Sequence, residues 1–159
     1  MADRLKRFES IVRIAHGFSD REPVDSTSFH AFEQREIYPK FPPKVRKLFD
    51  DGHYAQATFE AFKFVDKFVQ RHSKLSESGY KLMMAAFDKA KPTWIKLTPA
   101  VTTSEIDEQD GYRFIFAGAM TGIRNPRGHD MINDDIDTCL DHLGFASMLM
   151  RRLEAAGYT

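Results

Sequence analysis

The chain has little cysteine, no excess of charge of either sign and no long apolar run. Its single cysteine, Cys139, excludes an intramolecular disulfide and fits the reducing cytoplasm. Its 23 Lys and Arg residues balance its 23 Asp and Glu residues, so contact with nucleic acid would require a local basic patch. No apolar stretch has the length of a membrane span, and the charged N-terminus does not resemble a signal peptide. We therefore expect a cytoplasmic protein with no membrane contact.

The sequence also lacks the common signatures of cofactor and metal sites. It contains no phosphate-binding Walker A loop, no glycine-rich dinucleotide fingerprint and no serine nucleophile elbow. Four acids near His129 and His142 suggest a metal site at first sight: Asp130, Asp134, Asp135 and Asp137. Their spacing matches neither a calcium loop nor a zinc site, and acids favour helix N-termini. We predict no metal and no cofactor.

The residues that are present predict an all-α protein with one main domain. Apolar side chains recur at three- and four-residue steps, and no convincing strand alternation occurs. An amphipathic helix is predicted at Arg4–Phe18 and a short one at Ser28–Tyr38, before Pro39, Pro42 and Pro43 interrupt the pattern. The prolines suggest a helical extension at residues 1–42, of unknown role, and a domain at residues 43–159.

Five further helices are predicted in that domain. They run from Pro43 to Asp51 with Gly52 closing, from Tyr54 to His72, from Ser78 to Ala90, from Ser104 to Ile123, and from Asn133 to the end of the chain. The expected N-caps are Ser104, which Asp107 follows three residues later, and Asn133. Trp94–Thr103 is expected to be a loop or a short extended piece. These helices predict a bundle.

A six-residue segment between two helix-like runs carries the densest chemistry, Arg124-Asn125-Pro126-Arg127-Gly128-His129. Arginine matches phosphate oxygens with a planar fork of donors, and histidine exchanges protons near neutral pH. Pro126 disfavours helical geometry at Asn125, so we expect the helix to end or kink there and to bring Arg124 and His129 toward one spot. The alternative is that Arg124 only caps its helix and that His129 is a surface residue.

This segment resembles the R-x4-H motif of the HEPN superfamily, whose active members are metal-independent ribonucleases. The Ymh-type branch, tied to abortive infection and phage defence, is similar at further segments in the same order. They are Leu48–Tyr54, Glu60–Lys63, Leu82–Met83 and Phe116–Met120, within a stretch from Lys44 to the C-terminus. The resemblance implies an all-α, HEPN-like helical bundle that forms a homodimer.

The resemblance also implies roles for individual residues. Arg124, Asn125 and His129 would form the catalytic set, and Arg127 is a candidate for binding RNA. Glu60 and Lys63, which share a helix face, and Asp66 are candidates to support the motif, although a surface ion pair explains the first two as well. Glu105 and Gln109 are weaker candidates.

The predicted function is therefore an RNA endonuclease that uses the 2′-hydroxyl of its substrate as the nucleophile. One His per chain is sparse for both acid and base, so two chains would share a site. A toxin with a separate antitoxin, or another defence-system partner, is compatible with this function. The alternative is a HEPN-type module that binds RNA or protein without cleaving, which a neutral, Phe-rich bundle would also suit.

Overall fold

The computed structural model describes residues 30–90 and 92–159, and all regular secondary structure in these residues is helical. The all-α prediction is thus confirmed for the described part of the chain. The chain divides into two units, Met1–Gln34 and Arg35–Thr159. In the first unit, the helical turn α1 spans Ala31–Gln34. The helix predicted at Arg4–Phe18 lies outside the described residues.

The second unit contains the remaining helices. They are α2 (Pro43–Asp50), α3 (Tyr54–Ser73), α4 (Gly79–Ala86), α5 (Thr103–Ala119), a π-helical segment (Met120–Arg124), α6 (Asn125–His129) and α7 (Ile136–Ala155). The predicted loop between α4 and α5 is confirmed over its described residues. The prediction that the short helix extends to Tyr38 is wrong, because the observed helix ends at Gln34. The Tyr38 backbone N–H instead donates to Ser147 on α7, which ties this segment to another helix.

Helix α3 is the central element of the second unit and contacts α2, α4, the π-helical segment, α6 and α7. The predicted helix is confirmed, and it extends one residue beyond the predicted end at His72. Its buried residues extend around much of the helix because neighbours cover several sides. Phe62 faces Phe145 of α7, with ring centroids 6.2 Å apart. Burial of this kind, rather than intrinsic propensity, supplies most of a helix's stability.

Helices α4 and α5 pack against each other through stacked rings and one buried amide. The rings of Phe87 and Phe116 stack with centroids 4.4 Å apart. The Gln109 amide donates to the Phe87 and Ile95 carbonyls and accepts from the Leu97 N–H. The Ala86 carbonyl, which the Ala90 N–H would use in a longer helix, accepts from the Ile95 N–H at 2.9 Å, so α4 ends at Ala86 rather than at the predicted Ala90.

Two predicted N-caps are wrong, although the helices they introduce exist. Helix α5 is capped by Thr102, whose side chain and that of Glu105 form a reciprocal capping box. Helix α7 is capped by Asp135, whose carboxylate accepts from the Thr138 N–H at 2.7 Å. Asn133 does not cap α7. At α2, the predicted start at Pro43 and closing Gly52, with φ of +78°, are confirmed.

Candidate functional site

The R-x4-H segment lies on one unbroken helical run, so the prediction that the helix ends at Asn125 is wrong. Arg124 and Asn125 both have right-handed helical backbone angles, and α6 continues to His129. The preceding turn is a π-helix, in which the Asn125 N–H bonds to the Met120 carbonyl five residues back. A widened turn relieves the clash that a proline ring makes with earlier carbonyls, which explains how Pro126 is tolerated.

Arg124 lies against an aromatic ring of the central helix. Its guanidinium carbon is 5.3 Å from the centre of the Phe59 ring, within cation–π range. Its Nη1 donates to Oδ1 of Asn125 at 3.1 Å, so the side chain next to it in sequence holds it in place. Its Nε is buried and has no hydrogen-bond partner among the described residues. The guanidinium therefore retains donors for an external acceptor such as phosphate.

Asp66, a predicted supporting residue, reaches the motif through the start of α4. Its carboxylate is buried and accepts a 2.6 Å hydrogen bond from the Gly79 N–H. Gly79 has φ of +60°, which favours glycine, and a Cβ there would lie 3.8 Å from Nη1 of Arg124 and 4.0 Å from Oδ1 of Asn125. Asp66 thus fixes a backbone turn beside the guanidinium, without touching it.

Lys63 lies near the same ring and pairs with Glu60, and the supporting role predicted for both stays a prediction. The Lys63 ammonium is 5.8 Å from the centre of the Phe59 ring and 3.4 Å from Glu60, which also accepts from Lys44 at 2.9 Å. Burial raises the pKa of Glu60, but the hydrogen bond from Lys44 and the charge of Lys63 outweigh it, so the pKa lies below its ordinary value. Glu60 therefore stays ionised and holds two cations near the motif.

His129 is the last residue of α6 and is exposed. Its imidazole makes no hydrogen bond or ion pair with any residue that the structure describes. Five helical residues correspond to a rotation of about 140°, so Arg124 and His129 do not lie above one another on the helix. Within one chain, the motif thus offers an inward-facing cation and a solvent-accessible proton carrier.

Arg127 is committed to acceptors within the protein. Its Nε and Nη2 donate to the two carboxylate oxygens of Asp134 at 2.6 and 2.7 Å, and its Nη1 donates to the Ile123 carbonyl at 2.9 Å. Both side chains of this pair are mostly buried. This geometry gives Arg127 a bracing role and lends no support to the predicted contact with RNA, which stays a prediction.

Two titratable groups on α7 lie near that brace. Burial lowers the pKa of His142, and the charge of Arg127 lowers it further, so the imidazole is neutral at pH 7. Burial raises the pKa of Cys139 to about 11. Its side chain is buried, and the thiol donates a hydrogen bond to the Tyr54 carbonyl. A buried thiol with a raised pKa is a poor nucleophile.

The weaker candidates Glu105 and Gln109 are held by other interactions, the α5 cap and the α4–α5 contact. The residues that sequence reasoning missed are Phe59 and Gly79. Phe59 shares a helix face with Lys63 and Asp66, at steps of four and three residues, and this spacing was the available signal. No comparable signal marked Gly79, whose role depends on packing between distant segments.

Residues 30–90 and 92–159 contain neither a metal-binding cluster nor a membrane-spanning helix. No group of three or more His, Cys, Asp or Glu side chains there is arranged to hold a metal ion. None of the helices in this part of the chain combines the length and the apolarity needed to cross a bilayer.

The fold and the site together define an all-α protein with an arginine–histidine motif on a π-interrupted helix. The chain belongs to the Hypoth_Ymh family, described as "Protein of unknown function (Hypoth_ymh)", which matches residues 35–153. The match begins at the first residue of the second structural unit. Neither the curated proteins nor the solved structures include a match.

Proposed function

We propose that this protein is a metal-independent RNA endonuclease of the HEPN type. The observation that carries the proposal is the state of Arg124, whose guanidinium is held by Phe59 and Asn125 while its buried Nε has no partner among the described residues. A buried donor without an acceptor costs about 1–3 kcal/mol, so its retention points to a functional role for this side chain, whose Nη2 is accessible and makes no hydrogen bond with the described residues. Phosphate is the ligand that best matches an arginine fork.

The proposed chemistry is transesterification within the RNA chain. A base removes the 2′-hydroxyl proton, the 2′-oxygen attacks the adjacent phosphorus, and the bond to the 5′-oxygen breaks as an acid donates a proton to it. The products carry a 2′,3′-cyclic phosphate and a 5′-hydroxyl. His129 exchanges the protons, Arg124 binds the phosphate as its charge develops, and Asn125 orients Arg124.

The active unit in this proposal is a homodimer, since one exposed imidazole cannot serve as acid and base at once. Helix α5 offers a face for self-association. Its exposed Phe114 and Ile115 alternate with Gly111 and Gly118 along one side, Gly122 of the π-helical segment continues that side, and the described structure leaves open space above each glycine. The named residues of this face are uncharged, and α5 continues through the π-helical segment into α6, which carries the motif. A twofold contact here would bring two motifs toward each other.

The biological setting that we propose is phage defence or abortive infection. The protein would act there as a toxin or effector, and an antitoxin or another defence-system partner would restrain it. This setting follows from the similarity to Ymh-type HEPN proteins described above. Locally, Arg124 and Lys63 share the Phe59 ring, and Lys44 joins Lys63 at Glu60. These three cations, two more than the one carboxylate offsets, would provide the basic patch that a neutral chain needs to bind RNA.

Cleavage of an end-labelled RNA in the presence of EDTA tests the proposal. The wild type should cleave and yield cyclic-phosphate ends, and His129→Ala should not. His53→Ala, which changes another exposed histidine, should cleave like the wild type. Activity that appears only after divalent ions are added would overturn the mechanism.

A second candidate function is a module that binds RNA or protein without cleaving. Two observations favour it. Arg124 and His129 point to different sides of the helix, and α5 has an exposed apolar face. The two candidates differ in one measurement. A binding module would retain RNA on a filter through Arg124 and leave the RNA intact, whereas an endonuclease would leave fragments.

A further inference from the structure

We infer that Phe59 is a positioning residue, whose ring holds both ends of the motif helix against the central helix α3. Where the inference concerns activity it rests on the proposed function, but the contacts themselves can be tested without any activity. The ring meets Arg124 at one end of the segment and Gly128 at the other. These two residues are four apart, so they share the face of the helix that looks toward α3.

The Phe59 ring lies closer to Gly128 than a residue with a Cβ atom would allow. A Cβ built on Gly128 would lie 2.7 Å from Cε2 of Phe59 and 3.4 Å from Cδ2. Real Cβ atoms do not approach carbon atoms as closely as the first distance, so an alanine there must displace the ring or the helix. Glycine at this position therefore sets how near α6 lies to α3, and His129 is the next residue.

The contact with Arg124 fixes the other end. The guanidinium lies 5.3 Å from the ring centre, and its buried Nε has no acceptor among the described residues to hold it. Apart from its bond to Asn125, the ring is the feature that orients this side chain. Lys63 is also within reach of the ring, at 5.8 Å. One aromatic side chain thus sets the spacing between the motif cation, its neighbouring cation and the helix that carries His129.

The first test compares Phe59→Leu with a matched control, Phe64→Leu. Phe64 is also a half-buried phenylalanine on α3, but its ring meets Phe41 and Phe68 instead of the motif. In the wild type, the Phe59 ring should shift the NMR signals of the Arg124 side-chain protons upfield. Phe59→Leu should abolish that shift, and Phe64→Leu should leave it unchanged.

The same two variants separate binding from folding when cleavage is measured. Phe59→Leu should raise the KM for RNA about fivefold, the scale expected when a cation–π contact to the phosphate-binding arginine is lost. Phe64→Leu should lower the urea midpoint about as much as Phe59→Leu does, but it should not change KM. Equal KM values in the two variants, with the Arg124 signals unmoved in both, would overturn the inference.

A double-variant cycle tests the contact with Gly128. Gly128→Ala should lower the urea midpoint, because the new methyl group meets the ring. Combining it with Phe59→Leu replaces the ring by a smaller side chain, so the joint loss should be less than the sum of the two single losses. Additive losses would show that the ring and the glycine do not constrain each other, and would overturn this part of the inference.

These arms distinguish the inference from the proposed function. If the wild type cleaves no RNA, the proposed function fails, and the NMR shift and the double-variant cycle still decide the role of Phe59. If the wild type cleaves RNA but Phe59→Leu behaves like Phe64→Leu in every measurement, the proposed function stands and the inference fails.

Discussion

The guanidinium of Arg127 and the carboxylate of Asp134 form a two-pronged ion pair, with hydrogen bonds of 2.6 and 2.7 Å. The pair joins α6 to the segment before α7, and the third bond of Arg127 reaches back to the Ile123 carbonyl in the π-helical turn. It therefore braces the backbone on both sides of His129. A planar guanidinium is needed for this geometry, since lysine presents only a point charge.

The first prediction concerns this brace. Asp134→Asn leaves the mostly buried Arg127 without its counter-charge, so the free energy of unfolding should fall by about 3 kcal/mol. Urea denaturation measures the loss. Asp141→Asn is the control, because its partner Arg35 and Asp141 itself are exposed, and it should cost less than about 1 kcal/mol. Similar losses in the two variants would contradict the bracing role.

The second prediction separates the two central residues of the motif. Arg124→Lys keeps the charge but loses the planar fork, and His129→Gln keeps a hydrogen bond but loses the titrating proton. Each should remain folded and lose at least about a hundredfold in RNA cleavage rate, the scale of general acid–base catalysis. Cleavage rates and circular dichroism measure the two properties. If either variant unfolds instead, that residue has a mainly structural role.

The third prediction concerns assembly. Wild-type protein should be a homodimer at micromolar concentration, and Phe114→Glu should make it monomeric and inactive, because a charge would be placed in the apolar α5 face. Sedimentation and light scattering measure the mass. Val101→Glu changes an exposed apolar residue in the loop before α5 and should leave the dimer intact. A monomeric wild type that still cleaves RNA would refute the shared site.

The fourth prediction concerns stability at mildly acidic pH. Burial and the charge of Arg127 lower the pKa of His142 below its ordinary 6.5, although Asp134 and Asp141 act in the opposite direction. The unfolded chain then binds a proton at a higher pH than the folded chain does, so stability is lost as the pH falls below 6.5. His142→Gln should remove part of that loss. Urea midpoints at several pH values measure it, and parallel curves for wild type and variant would contradict the prediction.

The fifth prediction concerns the start of α5. Thr102→Ala removes the side-chain acceptor of the capping box and should lower the free energy of unfolding by about 1 kcal/mol. Ser104→Ala, at the cap that the sequence suggested, should have almost no effect. Thermal unfolding compares the two variants, and a larger loss for Ser104→Ala would restore the sequence-based assignment.

The sequence was sufficient for features that depend on near neighbours along the chain. Apolar spacing located α3 and α7 because a helix that buries one side must repeat apolar residues every three or four positions. Pro43 and Gly52 marked the ends of α2 because their backbone preferences act within a single turn. The choice of Lys63 and Asp66 as candidates to support the motif came from the family resemblance and not from their spacing.

Only the tertiary structure decided what these side chains meet. Pro126 predicted a broken helix, but packing of the motif against α3 stabilises a π-helical turn that carries the chain through it. The sequence predicted that Arg127 binds RNA. In the structure its guanidinium pairs with Asp134, because the segment before α7 returns alongside α6. The spacing of Phe59 with Lys63 and Asp66 did not indicate which residues its ring meets. Spacing along a chain predicts which residues share a helix face. Which other segment packs against that face depends on the free energy of packing distant segments together.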